Sequence, residues 1–150
     1  TWRPQNVGRT ASVGAEVSAS GAFRFWRATG RLFIAYEFVR ARDRSDPASQ
    51  TFGQPLRYVP EHTLRSNLAL DVGRLSAGFT MRFVGRRYVT EDASSFLDPY
   101  VILDSRIGWR LAPTVDISTI MENVLDTEYQ PIAGYPMPGR HLRFQLRLML

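Results

Sequence analysis

Two histidines are the natural place to look for chemistry, because imidazole ligates metals and shuttles protons near neutral pH. His62 and His141 each stand alone, with no second histidine at ligand spacing, and the chain has no cysteine. Both are read as polar residues at strand starts rather than as metal ligands. No G-x-S-x-G elbow, phosphate-cradling P-loop or G-x-G-x-x-G turn occurs. The carboxylates of Glu91 and Asp92, and of Asp43 and Asp46, are close enough in sequence for acid–base work, but they fall in polar connecting stretches where solvated charge is the default. No catalytic residue, metal or cofactor is assigned, and an enzyme is not expected. What remains is arginine. All 19 basic residues are Arg, none is Lys, and the net charge is +5. A guanidinium is a rigid fork for carboxylate and phosphate. The candidate side chains for contacting an anionic ligand are Arg65, Arg82, Arg86, Arg87 and Arg106. Within "GRRY" (Gly85–Tyr88) the arginines would meet an anionic ligand, a surface phosphate or water. The arginines are scattered along the chain rather than gathered in one stripe, which argues against a nucleic-acid partner.

These residues sit in a chain of 150 residues, 44% hydrophobic, with nine Pro, eleven Gly, three Trp, six Tyr and nine Phe. That is enough for one domain and too apolar for disorder, and the composition suits strands and turns. No run approaches the ~18 apolar residues of a membrane-spanning helix. The chain begins at Thr1 without a signal segment, so a processed product or a piece of something longer is expected. About seven stretches alternate with a period of two: Thr10–Ser20, Gly30–Arg40, His62–Val72, Leu75–Tyr88, Tyr100–Leu111, Thr114–Glu122 and the terminal "GRHLRFQLRLML". Each is near the ~9–11 residues of a transmembrane β-strand. In the last, Leu142, Phe144, Leu146, Leu148 and Leu150 alternate with His141, Arg143, Gln145, Arg147 and Met149. The expected lipid-facing set is Leu68, Leu70, Phe79, Met81, Leu103, Ile107, Phe144, Leu146 and Leu148, opposed by Arg65, Arg82, Arg106 and Arg147.

Alternation alone also fits a soluble sandwich, so connection lengths must arbitrate. Ala41–Glu61, Val89–Pro99 and Asn123–Gly139 are long; Gly73–Arg74 and Ala112–Pro113 are tight. Long and short therefore alternate, as in an up-and-down outer-membrane barrel with long loops outside and short turns in the periplasm. The connection Gly21–Thr29 is longer than such a turn should be, unless "AFRFWRA" extends its flanking strands.

In order and spacing, "YVPEHTL", "FVGRRYV", "LDPYVILDSRIGW", "MENVLDTEYQ" and "GYPMPGRHLRFQLRLML" resemble the C-terminal barrel region of a TonB-dependent outer-membrane receptor, and "RPQNVGRTASVGAEV" is similar to the approach to an earlier strand. The family's usual Asn-Leu pair reads Asn123-Val124, and the terminal strand stops at Leu150 rather than on an aromatic. Either a variant end is tolerated or the true end is missing. The resemblance implies an all-β, antiparallel, up-and-down transmembrane barrel segment, about seven strands of about 22. Residues 1–150 would be the C-terminal part of that barrel, with no plug domain and no TonB box in this stretch. It implies import of a scarce ligand such as a ferric siderophore or cobalamin. The implied partners are the bilayer and lipopolysaccharide, the remaining strands and plug of the same receptor, the TonB complex acting through that plug, and the assembly machinery reading the last strand. The C-terminus would be periplasmic. The other classes to be distinguished are a small self-contained outer-membrane barrel with a structural or enzymatic role, needing an eighth strand in Gly21–Thr29 or before Thr10, and a soluble β-sandwich binding module.

Overall fold

The computed structural model describes residues 8–149, and every regular element among them is a strand. They are β1 (Thr10–Phe25), β2 (Ala28–Asp43), β3 (His62–Val72), β4 (Leu75–Val84), β5 (Arg87–Tyr88), β6 (Phe96–Leu97), β7 (Tyr100–Ala112), β8 (Val115–Glu122) and β9 (His141–Leu148). Seven of them form one antiparallel sheet in the order β1-β2-β3-β4-β7-β8-β9, while β5 and β6 make a separate short hairpin. Each long strand pairs with its sequence neighbours, and β1 and β9 do not pair with each other. The sheet is an open section of a barrel wall.

One open connection resolves and one expectation changes. Gly21–Thr29 is the strand extension that "AFRFWRA" offered: β1 and β2 run on to Phe25 and Ala28 and join through Trp26 and Arg27. Trp26 takes φ 53°, a left-handed geometry that favours Gly or Asn, as Gly73 shows at φ 58° in the next short turn. The turn was therefore invisible in its residue types. It also removes the room within Gly21–Thr29 for an eighth strand. The fourth stretch ends at Val84 rather than Tyr88. There Gly85 donates a last rung to the His62 carbonyl at 2.8 Å, and a Cβ on Gly85 would come within 2.9 Å of that oxygen.

Register fixes the faces. Leu68 lies opposite Phe79, Leu70 opposite Ala77, and Met81 opposite Leu103. Ile107 lies opposite Ala77 and Thr119, which in turn faces Phe144, while Ile117 faces Leu146 and Val115 faces Leu148. All nine residues expected on one side share that side. Arg65 and Arg82 lie opposite one another on the other side, as do Arg110 and Arg147 with Asp116 between them. A slip of one residue would exchange the two sets, so the pattern itself enforces the pairing. Leu150 lies outside the described residues.

Nothing among the described residues covers the apolar side. Among the described hydrophobic residues only Ala41 and Ile102 are buried, whereas Phe144 is 75% exposed and Leu148 63%. A soluble sandwich would cover this face with a second sheet, and the two-residue strands β5 and β6 cannot do so. Among the described residues there is no second sheet of the kind a sandwich requires.

Candidate functional site

The polar side of the sheet carries charge in rows set by the same register. Arg31 pairs with Asp71 at 3.6 Å, and Arg110 with Asp116 at 3.4 Å. Glu122 receives Arg143 at 2.7 Å and also contacts His141, which is thereby engaged within the sheet. Arg106 donates to the hydroxyl of the buried Ser118 at 3.3 Å. Arg65 and Arg82 face each other across β3 and β4 with no carboxylate within 4.0 Å among the described residues. The nearest acids on that side are otherwise engaged: Glu37 accepts from Thr63 at 3.1 Å, and Asp104 from the Asn123 amide at 2.8 Å. Small residues (Ala22, Ala69 and Gly78) leave a hollow of about 560 Å³ beside Phe33 and Arg31.

All three long connections gather at one end of the sheet and are pinned there. The stretch before β3 runs back along β2, with Asp43 N donating to Gln54 O at 3.0 Å and Leu56 N to Ala41 O at 3.0 Å. Tyr58 N reaches Tyr88 O at 2.9 Å and ties this connection to the hairpin of β5 and β6. Asn123, only 3% exposed and at φ 51°, is the knot of the last connection. Its Nδ2 donates to Thr127 O at 2.9 Å and Pro138 O at 3.4 Å, and its Oδ1 accepts from Thr127 N at 3.0 Å. Thr127 in turn donates its hydroxyl to Val101 O at 2.9 Å, which clamps the loop to β7. Between the pinned loops lies a cleft of about 580 Å³, bordered by Arg87, Asp98, Tyr100, Glu128, Tyr129 and Met137. The Tyr100 and Tyr129 rings meet at 4.6 Å.

The candidate arginines do not gather at one point. Arg65 and Arg82 form the facing pair, and Arg106 is bound to Ser118 farther toward the short-turn end. Arg86 lies over the Phe96 ring at 4.0 Å. Arg87 is 4% exposed, stacks over Tyr100 at 4.8 Å and donates to Pro131 O at 3.0 Å and Asp98 O at 3.4 Å. Its guanidinium braces two loops from within. His62 sits on the apolar side, its Nδ1 2.7 Å from the Tyr36 hydroxyl. No group of three or more His, Cys, Asp or Glu comes together among the described residues. In the connection after β4, Asp92 accepts from Ser94 and is held with Thr90 and Ser94, whose hydrogen bonds lower its pKa to about 2. Asn123 and the Tyr100–Tyr129 cleft were not singled out from the sequence as parts of a site. The only signal was the left-handed tolerance of Asn at the end of a strand.

Comparison with known proteins agrees with this architecture. Residues 1–124 match the family model described as TonB dependent receptor-like, beta-barrel. The vitamin B12 transporter BtuB of Vibrio cholerae is 26% identical over 100 residues, covering 62% of this chain and 16% of that protein. The pesticin receptor of Yersinia pestis is 25% identical over 132 residues, covering 83% of this chain and 19% of the receptor. The chain thus spans less than a fifth of the length of these relatives. The crystal structure of the siderophore receptor PiuA from Acinetobacter baumannii superposes with a TM-score of 0.80 at 14% identity, over 93% of this chain and 22% of that one. Barrels of this kind reside in the bacterial outer membrane, and the relatives are named as transporters and receptors rather than enzymes. With an antiparallel sheet, one bare apolar face and all long connections at one end, the chain belongs to the TonB-dependent receptor β-barrel family.

Proposed function

We propose that residues 1–150 form the C-terminal part of the barrel of an outer-membrane receptor that imports a scarce ligand, of the ferric siderophore or cobalamin class. The observation that carries this reading is the register-locked separation of an uncovered apolar face from a charged one, within a sheet that leaves β1 and β9 unpaired on one side. Unpaired strand edges are costly in lipid, so strands from elsewhere in the same receptor complete the wall. The apolar face meets acyl chains and lipopolysaccharide, and the charged face lines the lumen around a plug carried by another part of the receptor. The long connections lie outside the cell and the end of β9 in the periplasm. TonB supplies energy through the plug, and the assembly machinery reads β9. Arg65, Arg82, Arg86 and Arg106 contact ligand or plug from the wall and rim, while Arg87 holds the rim in shape.

The test is uptake by cells carrying the whole receptor as their sole route. Radiolabelled ferric siderophores and cobalamin should include one that is accumulated only when TonB is present. Accumulation that survives deletion of TonB, or no accumulation across both classes, refutes the reading.

A further inference from the structure

Toward the long-loop end, the outward side of β2 changes from hydrocarbon to guanidinium. Its residues there read Leu32, Ile34, Tyr36, Phe38, Arg40 and Arg42, every second position facing the apolar side. The register sets Arg40 opposite Val13 and Arg42 opposite Ala11. One residue beyond the strand, Arg44 N donates to Arg9 O at 2.9 Å, which extends the ladder by a rung and brings Arg9 beside Arg44. Side-chain contacts confirm the facing. The Arg40 guanidinium lies over the Phe38 ring at 5.6 Å, and Phe38 lies 5.3 Å from His62.

Charge here is badly matched. Four arginines meet one carboxylate, Glu61, at 3.3 Å from Arg40 and 4.0 Å from Arg42. Arg42 also donates to Gly53 O at 2.8 Å, whereas no carboxylate lies within 4.0 Å of Arg9 or Arg44 among the described residues. Arg40 and Arg42 point away from the polar face with the register, and Arg9 and Arg44 meet one rung beyond it, with the Arg44 guanidinium over the Phe52 ring at 5.1 Å, so the ladder stands apart from a ligand in the lumen. Aromatic residues mark the interface of an outer-membrane barrel, and Tyr36, Phe38 and His62 lie directly below the ladder. Arg40 to Arg44 covers about 13 Å along the strand at ~3.3 Å per residue, a distance that crosses a headgroup layer. Val13, level with Arg40, and Val17, level with Tyr36 below, are exposed and continue the hydrocarbon surface.

We infer that Arg9, Arg40, Arg42 and Arg44 form a docking site for the phosphates of an outer-leaflet glycolipid, the lipid A portion of lipopolysaccharide, whose acyl chains lie against Val13, Val17, Ile34 and Phe38. Guanidinium forks match phosphate oxygens bidentately, and the apolar strip beneath selects an anion that carries acyl chains over a free one. This rests on the reading that the apolar face meets the outer leaflet with the long connections outside.

The experiment uses the whole receptor, delipidated in detergent and titrated by native mass spectrometry with bisphosphorylated lipid A and with dephosphorylated lipid A. The bisphosphorylated form should bind more tightly. Replacing Arg40→Gln and Arg44→Gln together should weaken it by about 25-fold, at about fivefold for each basic residue at an anionic surface, and leave the dephosphorylated form unchanged. The charge-matched pair Arg110→Gln and Arg147→Gln, on the polar face, should bind both lipids as the unsubstituted receptor does. If the outward double variant does not fold, a salt titration of the unsubstituted receptor decides, because the phosphate-dependent part must fall as salt screens it. Undiminished binding by the double variant, or salt-independent preference, overturns the site. Equal retention of both lipids also overturns the site while leaving the apolar-face reading intact, whereas retention of neither contradicts that reading itself.

Discussion

Phe79 and Thr80 are adjacent on β4 and point to opposite sides of the sheet, so placing arginine at each tests the assignment of faces within one strand. Phe79 is the fifth residue of β4 and lies between Leu68 and Ser105, 36% exposed. Thr80 faces Asn67 and Asp104, and its hydroxyl donates to Asn67 Oδ1 at 3.0 Å. An arginine on the lipid side of a barrel costs about 2–4 kcal/mol at the bilayer midplane and about 0–1 kcal/mol near the interface. Phe79→Arg should therefore lower the folding equilibrium by about 30-fold to about 900-fold. Thr80→Arg loses one exposed hydrogen bond, about 0.5–1.5 kcal/mol. Phe83→Arg, next to the end of β4, should fall close to neutral by depth alone. The assay is reversible urea unfolding of the whole receptor in lipid vesicles, read by the heat-modifiable band on electrophoresis. Equal costs at Phe79 and Thr80, or a Phe83 substitution as severe as Phe79, would refute the face assignment.

An epitope inserted near Ser49, in the connection between β2 and β3, should be reached by antibody on intact cells; detection only after permeabilisation would invert the topology. Asn123→Ala removes three side-chain hydrogen bonds and places Ala at φ 51°, which should cost about 2–4 kcal/mol and make the segment after β8 the first site of proteolysis. At Asp92 the folded pKa lies near 2, below the ordinary 3.8, so its hold on the loop is complete above the ordinary value and is lost as pH falls through about 2. Hydrogen exchange of residues 89–99 should follow that course and lose it in Asp92→Asn; an identical pH profile in the variant would remove Asp92 from the account. Expressed without the rest of a barrel, the 150 residues should oligomerise or aggregate, and a heat-modifiable monomer in detergent would show that they close by themselves.

The strands were legible because each has a hydrocarbon set and a polar set two residues apart, and β3 from His62 to Val72 was bounded by Pro60 and Gly73. The turn at Trp26 was not, since nothing in a Trp-Arg pair advertises a left-handed backbone. The arginines of "GRRY" look alike in sequence and part company in space. Arg86 lies on Phe96, whereas Arg87 is drawn inward by the carbonyls of Pro131 and Asp98, groups 44 and 11 residues away. Such long-range carbonyl partners leave no local trace. The opposition of Arg65 and Arg82 is likewise a property of register, recoverable only once the turn at Gly73 fixes which residues pair.

Because every long strand pairs with the strand before it, the largest gap any pairing must bridge is the 18 residues from 44 to 61 or from 123 to 140. The entropy of closing a loop grows only as the logarithm of its length, so these hairpins form at similar cost and can add one after another like teeth of a zipper. The open edges of β1 and β9 lie outside that sequence of local steps. Where either pairs with a strand from a distant part of a longer chain, closing a loop as long as these 150 residues costs about 2 kcal/mol more than closing the longest gap within the sheet. Closure of such a seam is the slow, high-contact-order event, and it depends on how long the open edge is shielded until its partner arrives.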